Sequence, residues 1–180
     1  MLKPDKATDH RLLQSAAQGD KISFGKLYER YIDEIYRYVF IKIGNQQSAE
    51  DITEETFIKT WESLSRIYRG DGRIDNLRAW LYRIAKNLVV DYYRKNKPEI
   101  VVGPNIVENL QSPEEIIIEQ EESTWIVSAL QKLKPDFQQI IILRLINDMS
   151  HKEIASIIGV SEGHSRILLY RALKKLKELL

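Results

Sequence analysis

The sequence predicts an all-α protein of two small helical domains joined by an acidic linker, the C-terminal one a helix-turn-helix domain. Apolar residues recur at three- and four-residue spacing along most of the 180-residue chain, which is typical of amphipathic helices. Only eight glycines and five prolines occur, so irregular structure should be confined to a few places. A stretch of seven glutamates without any lysine or arginine, residues 98–122, separates two segments in which basic residues are in excess.

Four helices are expected in the N-terminal domain, residues 1–97. Gly44 and Asn45 should end the second helix, and Ser48 is predicted to cap the third. The predicted spans are 9–18, 22–43, 48–64 and 77–95, with a loop over 66–76 before the last helix. One face of that helix is an apolar stripe, which comprises Leu77, Trp80, Leu81, Ile84, Leu88 and Tyr92.

The linker and the C-terminal domain are separated by composition. Residues 98–122 contain three prolines, which interrupt regular structure. The C-terminal domain, residues 123–180, again has helical periodicity. Its predicted helices span 124–133, 137–147, 152–158 and 161–179.

The segment 150–161 has the spacing of a helix-turn-helix. Ala155 is small enough to let two helices approach, and Gly159 follows the first helix where a left-handed cap is required. Ser161 is a suitable cap for the second helix. Two helices held in this way can place the second in the major groove of DNA, so the segment predicts a DNA-binding unit.

Several classes of site are excluded or disfavoured by composition. The chain has no cysteine, and its three histidines are far apart, so neither a disulfide nor a zinc site is expected. No phosphate-cradling glycine loop or paired nucleophile and base is apparent, and we expect neither a cofactor nor enzymatic activity. No apolar run is long enough to span a membrane, and the first residues do not resemble a signal peptide. We therefore expect a cytoplasmic protein without membrane insertion.

Over nearly its whole length the chain resembles the extracytoplasmic-function (ECF) sigma factors of the sigma-70 family. In the C-terminal half the resemblance rests on Leu133-Lys134-Pro135, Ser150-His151-Lys152-Glu153-Ile154-Ala155, Gly159-Val160-Ser161-Glu162-Gly163 and Tyr170-Arg171-Ala172-Leu173. In the N-terminal half it rests on Ala49-Glu50-Asp51-Ile52-Thr53-Glu54-Glu55-Thr56-Phe57 and on Trp80-Leu81-Tyr82-Arg83-Ile84-Ala85-Lys86-Asn87. The order and spacing of these motifs make the joint match more specific than any single one.

This resemblance implies that the N-terminal domain (sigma region 2) binds the clamp of core RNA polymerase and the promoter −10 element, where it opens the strands. The polymerase-binding residues would be Asp51, Ile52, Glu54, Glu55 and Ile58. The −10 residues would be Arg66, Arg69, Arg73, Asn76, Arg78, Arg83, Lys86, Asn87 and Arg94. Asn87 and the loop over 66–76 would form the pocket for a flipped base. Phe57, Trp61 and Trp80 are instead expected in the core.

The C-terminal domain (sigma region 4) would bind the promoter −35 element through the outer face of its last helix. The residues on that face are Glu162, His164, Arg166, Ile167, Tyr170, Arg171 and Lys174. The opposite face is expected to be buried, and comprises Ser165, Leu169, Ala172, Leu173 and Leu176. The sequence departs from the family pattern at three positions. Glu54 replaces a usual Gln, Ser165 a packing Val, and Leu168 a usual Arg.

Partners and alternatives follow from the same residues. The resemblance implies core RNA polymerase, promoter DNA and an anti-sigma factor as partners. We expect the free chain to be a monomer. A free-standing helix-turn-helix regulator would explain residues 124–180 but would leave the motif at 49–64 unexplained. A protein-interaction module that has lost DNA binding is a second alternative, which the altered recognition helix permits.

Overall fold

The computed structural model describes residues 6–69, 72–96 and 128–180, and throughout these residues the chain is helical with no strand. The N-terminal unit consists of α1 (Lys6–Ala17), α2 (Lys21–Ile43), α3 (Gln46–Arg69) and α4 (Leu77–Asn96). The C-terminal unit begins with a helical turn at residues 128–131 and continues with α5 (Pro135–Ile141), a π-helical turn (Ile142–Ile146), α6 (His151–Ile158) and α7 (Glu162–Lys177). The all-α prediction is confirmed. The predicted linker, 98–122, lies outside the described residues.

The junction between α2 and α3 is set by two adjacent caps. Gly44 adopts a left-handed conformation with φ of 72°, and its N–H donates to the Phe40 carbonyl, so the predicted end of α2 is confirmed. The prediction that Ser48 caps the next helix is wrong. The Asn45 side chain accepts a hydrogen bond from the Ser48 N–H at 2.9 Å, and α3 already begins at Gln46. Asn is as good a cap as Ser, and it stands directly after the glycine that ends α2.

The C-terminal end of α3 depends on a close backbone approach at Gly72. The helix runs to Arg69, five residues beyond its predicted end, and the Gly72 N–H then donates to the Ile67 carbonyl at 3.0 Å. A Cβ atom at position 72 would lie 2.9 Å from the Ile67 carbonyl oxygen. Any other residue would therefore force the backbone apart, which explains why glycine stands here.

Helix α3 buries a row of threonines. The hydroxyls of Thr53, Thr56 and Thr60 each donate to the backbone carbonyl four residues earlier, at 2.7, 2.7 and 2.8 Å. These bonds satisfy the hydroxyls inside the helix and leave the methyl groups free to pack. The row allows a helix with an unusually polar sequence to contribute a buried face.

A buried ion pair fixes α4 against α2. Arg78 on α4 donates from Nε to Glu34 Oε1 on α2 at 2.6 Å, and the Tyr82 hydroxyl donates to the same oxygen at 2.9 Å. The two charged side chains are 15% and 7% exposed. Burial, and then the adjacent Glu34 carboxylate, raise the pKa of Tyr82 well above its ordinary value, so this hydroxyl remains a donor.

The two units pack on each other, and a buried lysine lies where they meet. Helix α4 contacts α6, while Lys42 at the end of α2 reaches α5, with Nζ 3.4 Å from Gln139 Oε1. Lys42 is 7% exposed, and burial lowers its pKa to about 8. The nearby Asp136 carboxylate opposes this shift, and the Lys86 ammonium adds to it.

Replacing Lys42 by Met is expected to stabilise the fold. The lowered pKa means that the folded chain holds a proton on Lys42 less well than the unfolded chain, so wild-type stability rises with pH between about 8 and the ordinary value near 10.5. The Lys42→Met gain should be on the order of 1–3 kcal/mol at pH 7 and should shrink as pH rises through that window. Urea unfolding at pH 7 and 9.5 measures both effects.

The exposed Lys132→Met serves as the control, since Lys132 lies on the surface and no such burial is relieved there. A loss of stability in Lys42→Met at pH 7 would contradict this account. It would mean that the contacts of the ammonium with Gln139 and with the Tyr38 ring outweigh its desolvation.

Candidate partner and nucleic-acid interfaces

An apolar groove runs between α2 and α3 on the outside of the N-terminal unit. Its volume is about 470 Å³. Two edge-to-face aromatic pairs form the floor, Phe24 with Trp61 at 5.0 Å and Tyr28 with Phe57 at 4.8 Å between ring centroids. Ile58 on the rim is 55% exposed. Open apolar clefts of this kind with a polar rim are typical of protein-binding sites.

Of the three acidic side chains predicted to contact a partner, one lines this groove. Asp51, Glu54 and Glu55 are all exposed on α3, and Glu54 lines the groove itself. Ile52 is only 6% exposed and belongs to the core, so it is not available to a partner in this structure. Ile52 lies one turn from the threonine row, on the face of α3 that packs inward.

The α2 wall of the groove was not anticipated from the sequence. Phe24 and Tyr28 lie one helical turn apart on α2, and neither was among the residues predicted to contact polymerase. Phe57 is buried as expected, whereas Trp61 is half-buried and helps to form the groove. Two aromatic residues lie four positions apart on α2, and two more lie four positions apart on α3. This shared spacing is the signal that could have predicted the aromatic floor of the groove.

Basic and amide side chains cover the end of α3 and the outer side of α4. The exposed members of the predicted −10 set are Arg66, Arg69, Arg73, Arg83, Asn87 and Arg94. Some of them are held by short-range ion pairs, Arg73 with Asp75 at 2.6 Å and Arg94 with Asp91 at 3.5 Å. Exposed pairs of this kind contribute little and exchange readily with other anions. This side of α4 therefore suits a phosphate backbone.

The three remaining members of the predicted −10 set are half-buried, and two of them have structural partners. Asn76 is the cap of α4, because its side chain accepts from the Ala79 N–H at 3.0 Å. Arg78 is held by Glu34 in the buried pair and also donates to the Asn147 carbonyl of the C-terminal unit. Lys86 is half-buried. Trp80, expected in the core, is half-buried against it and lies under the Arg83 guanidinium.

The C-terminal unit contains the predicted helix-turn-helix. Ser150 and Glu153 form a reciprocal capping box at the start of α6, and Gly159 has a φ of 78° at its end. The Ser161 hydroxyl accepts from the His164 N–H at 3.2 Å and caps α7 as predicted. These three features fix the turn between α6 and α7.

All seven residues predicted on the outer face of α7 are exposed. Ile167 and Tyr170 are 54% and 70% exposed, an uncommon amount for large apolar side chains. Glu162 and Arg166 form an ion pair at 2.5 Å one turn apart. Leu173, expected to be buried, is 38% exposed because it lies at the edge of the inward stripe that runs through Ser165, Leu169, Ala172 and Leu176.

Two departures from the family pattern have a structural explanation. Ser165 is fully buried, and its hydroxyl lies 2.9 Å from His151 Nδ1, so a hydrogen bond joins α6 to α7. Burial, and then the nearby Arg144 and Arg166, lower the pKa of His151 and so favour its neutral ring. Leu168 packs against the core. The His151–Ser165 bond was missed because the two residues are 14 positions apart.

Among the described residues there is no cluster of side chains that could hold a metal ion. None of the described helices is both long enough and apolar enough to cross a membrane.

Comparison with protein families gives two matches, in the order that the resemblance predicts. Residues 27–99 match the model of sigma-70 region 2, and residues 123–176 match that of sigma-70 region 4. The ECF RNA polymerase sigma factor BldN of Streptomyces coelicolor is 33% identical over 98% of this chain and 67% of its own length. The RNA polymerase sigma factor YlaC of Bacillus subtilis is 31% identical over 87% of this chain and 91% of its own length.

Two solved structures resemble the whole arrangement. CnrH in complex with the cytosolic domain of CnrY is 25% identical, covers 96% of both chains and gives a TM-score of 0.69. The sigma factor RpoE of Bartonella quintana, solved in complex with the anti-sigma factor NepR, gives a TM-score of 0.66 at 21% identity and covers 87% of this chain and 95% of its own. The second likeness shows the fold alone.

Arg78→Ala is expected to destabilise the chain strongly. It removes the partner of Glu34 and leaves a carboxylate buried and unpaired, at a cost of about 3 kcal/mol or more. Arg94→Ala is the matched control on the same helix, because its ion pair is exposed and should contribute less than about 1 kcal/mol. Chemical unfolding of the three chains measures the difference. Equal midpoints would show that the buried pair does not hold α4.

Proposed function

Since the chain belongs to the extracytoplasmic-function group of the sigma-70 family and acts in transcription initiation, we propose that it directs core RNA polymerase to promoters by binding the −10 and −35 elements. Residues 1–97 would form the −10 and polymerase-binding domain, 98–122 the linker, and 123–180 the −35 domain. The observation that carries the proposal is the combination of an exposed basic and amide face on α4 with an exposed recognition face on α7.

Polymerase binding is assigned to the groove between α2 and α3. The exposed carboxylates of Asp51, Glu54 and Glu55 provide charge for a basic partner surface, and Ile58 provides exposed apolar area beside the aromatic floor. An apolar centre with a charged rim is the arrangement found at many protein interfaces. Glu54 adds a charge where the family usually has a neutral Gln, which favours a more basic partner surface.

Recognition and opening of the −10 element are assigned to the end of α3 and the outer side of α4. The exposed arginines there can neutralise phosphates. Asn87 is exposed on α4, and its amide can both donate to and accept from a base edge. A flipped base must be held by such groups to offset the few kcal/mol that unstacking costs.

Recognition of the −35 element is assigned to the outer face of α7. Arg166, Arg171 and Lys174 can contact phosphates or guanine edges, and Ile167 can contact a thymine methyl. Because Leu168 packs inward where the family commonly has an arginine, this face has one basic group fewer than usual. We expect a weaker contribution of the −35 element to binding.

Partner and location follow as part of the same proposal. CnrH and the Bartonella quintana RpoE were each solved with a second protein, which in the second case is an anti-sigma factor. We assign an anti-sigma partner to this chain as well, together with a cytoplasmic location and a monomeric free state. Copurification from the source cells would test these assignments.

Co-elution with core RNA polymerase, followed by transcription from a promoter library of the source genome, tests the proposal as a whole. Binding together with promoter-specific transcripts supports it. Tight, sequence-specific DNA binding by the chain alone, with no polymerase binding, would overturn it in favour of a free-standing regulator.

Glu54→Lys is expected to weaken polymerase binding by about tenfold or more, because it places a cation beside a basic surface. Glu29→Lys makes the same change at an exposed site on α2 that does not line the groove, and it should have little effect. Titration of labelled chain with core polymerase measures both. Equal losses in the two variants would remove the groove from the interface.

Asn87→Ala is expected to impair strand opening by about tenfold or more while leaving polymerase binding unchanged, because it removes base-edge hydrogen bonds. Asn96→Ala is the matched control, since its amide is exposed on α4 and donates to the Tyr92 carbonyl of the same helix. Permanganate reactivity of −10 thymines reports opening, and co-elution reports binding. Normal opening by Asn87→Ala would exclude this residue from the base pocket.

A further inference from the structure

A glycine inside α2 has no explanation within the chain itself. Gly25 lies in the second turn of this helix, where alanine would be more favourable because glycine loses more conformational freedom on folding. Its backbone does not have the left-handed φ that requires glycine at positions 44 and 159. A Cβ atom at position 25 would meet no neighbouring atom within 4 Å, in contrast to position 72. The fold therefore does not need the open space above Gly25.

Gly25 borders the apolar groove to which polymerase binding is assigned. Lys21 and Tyr28 both line that groove. They lie four residues before Gly25 and three residues after it, so the three positions share one side of α2. The bare backbone at Gly25 consequently continues the surface of the groove past its α2 wall.

An exposed apolar side chain lies next to this bare backbone, towards the start of α2. Ile22 is three residues before Gly25 and is 74% exposed. A single apolar side chain at the surface is ordinary, but Ile22 adjoins both the uncovered backbone and an open apolar groove. Together these features form one continuous apolar surface that extends from the aromatic floor to the outer side of α2.

The charges around this surface differ between its two walls. Glu54 and Glu62 line the α3 side of the groove, and Lys21 lines the α2 side. A partner element that lies along the groove therefore meets carboxylates on one flank and an ammonium group on the other. Such a partner is matched when it presents basic groups towards α3 and an acidic group towards Lys21.

We infer that core RNA polymerase packs directly on the backbone of α2 at Gly25 and buries Ile22 beside it, as an extension of its contact with the groove. The inference rests on the proposed function for the assignment of the groove to polymerase. Without a Cβ atom at the contact, the partner can approach the helix axis more closely than any side chain would allow. The lower helix propensity of glycine is offset by this closer interface.

Substitutions at position 25 should change stability and binding in opposite directions. Gly25→Ala and Gly25→Leu introduce better helix formers into open space, so both should raise the urea midpoint of unfolding. Binding to core polymerase should weaken by about tenfold for Gly25→Ala and by more for Gly25→Leu, because the added atoms hold the partner away. Urea unfolding and titration of labelled chain with core polymerase measure the two effects.

Two control variants make comparable changes away from the proposed contact. Gly163→Ala replaces a helical glycine of α7 that also has open space around it, so it should raise the urea midpoint without altering polymerase binding. Gln14→Leu adds an exposed leucine on α1 and controls for non-specific apolar contacts. Ile22→Ser, in contrast, should weaken polymerase binding by about tenfold, since it removes the apolar side chain that the partner buries.

Proximity to polymerase can be measured directly because the chain has no cysteine. A photoactivatable crosslinker attached at Ile22→Cys should form covalent adducts with core polymerase. The same reagent at Gln14→Cys, which is equally accessible on α1, should form few.

The inference is overturned if the Gly25 variants bind core polymerase as tightly as the unsubstituted chain, if they lower the urea midpoint, or if the two crosslinker positions react equally. In each of these cases, a loss of binding by Glu54→Lys alone would leave the groove as the polymerase site. If the unsubstituted chain does not bind core polymerase, the proposed function fails, and this inference fails with it.

Discussion

The buried pair of Glu34 and Arg78 is the constraint on which the arrangement of this protein depends. A buried charge must be matched by an opposite charge and by hydrogen bonds. Here one oxygen of the Glu34 carboxylate accepts hydrogen bonds from both the Arg78 guanidinium and the Tyr82 hydroxyl. The pair fixes the register of α4 on α2, and with it the direction in which the basic side of α4 faces. The same guanidinium also reaches the Asn147 carbonyl, so one side chain links both units.

Much of the fold could be predicted from local patterns. Helical periodicity identified the helices, and glycine at positions 44 and 159 marked two ends at which the backbone turns left-handed. The cap at Ser161 was also predictable, because its hydroxyl acts only three residues away. Features of this kind depend on a few neighbouring residues, so they can be predicted from a short stretch of sequence.

What the sequence could not predict depends on partners far along the chain. Arg78 resembles any other arginine of a basic helix, and only Glu34, 44 residues earlier, makes it part of the core. The sequence shows a serine at position 165 where the family has an apolar side chain, but it does not show that His151 on the adjacent helix is its hydrogen-bond partner. Ile52 and Ile58 are the same residue type on the same helix. Ile52 is buried and Ile58 is exposed, because they lie on different faces of α3. The functional surface could therefore be located by segment but not by residue.

The Glu153 carboxylate makes two separate contacts, one within α6 and one between the two units. This double role limits how the residue can change during evolution. One oxygen completes the capping box with Ser150, while the other accepts from Asn76 across the units. Under selection for looser or tighter association of the two halves, a change of Glu153 would also remove the capping box of α6 and destabilise the start of that helix. Ser156, which accepts a hydrogen bond from Arg83 across the units, caps nothing and lies at the surface, so it is free of that restriction. Descendants of this chain would adjust the association of the two halves at positions such as Ser156, while Glu153, whose carboxylate makes both contacts, stayed unchanged.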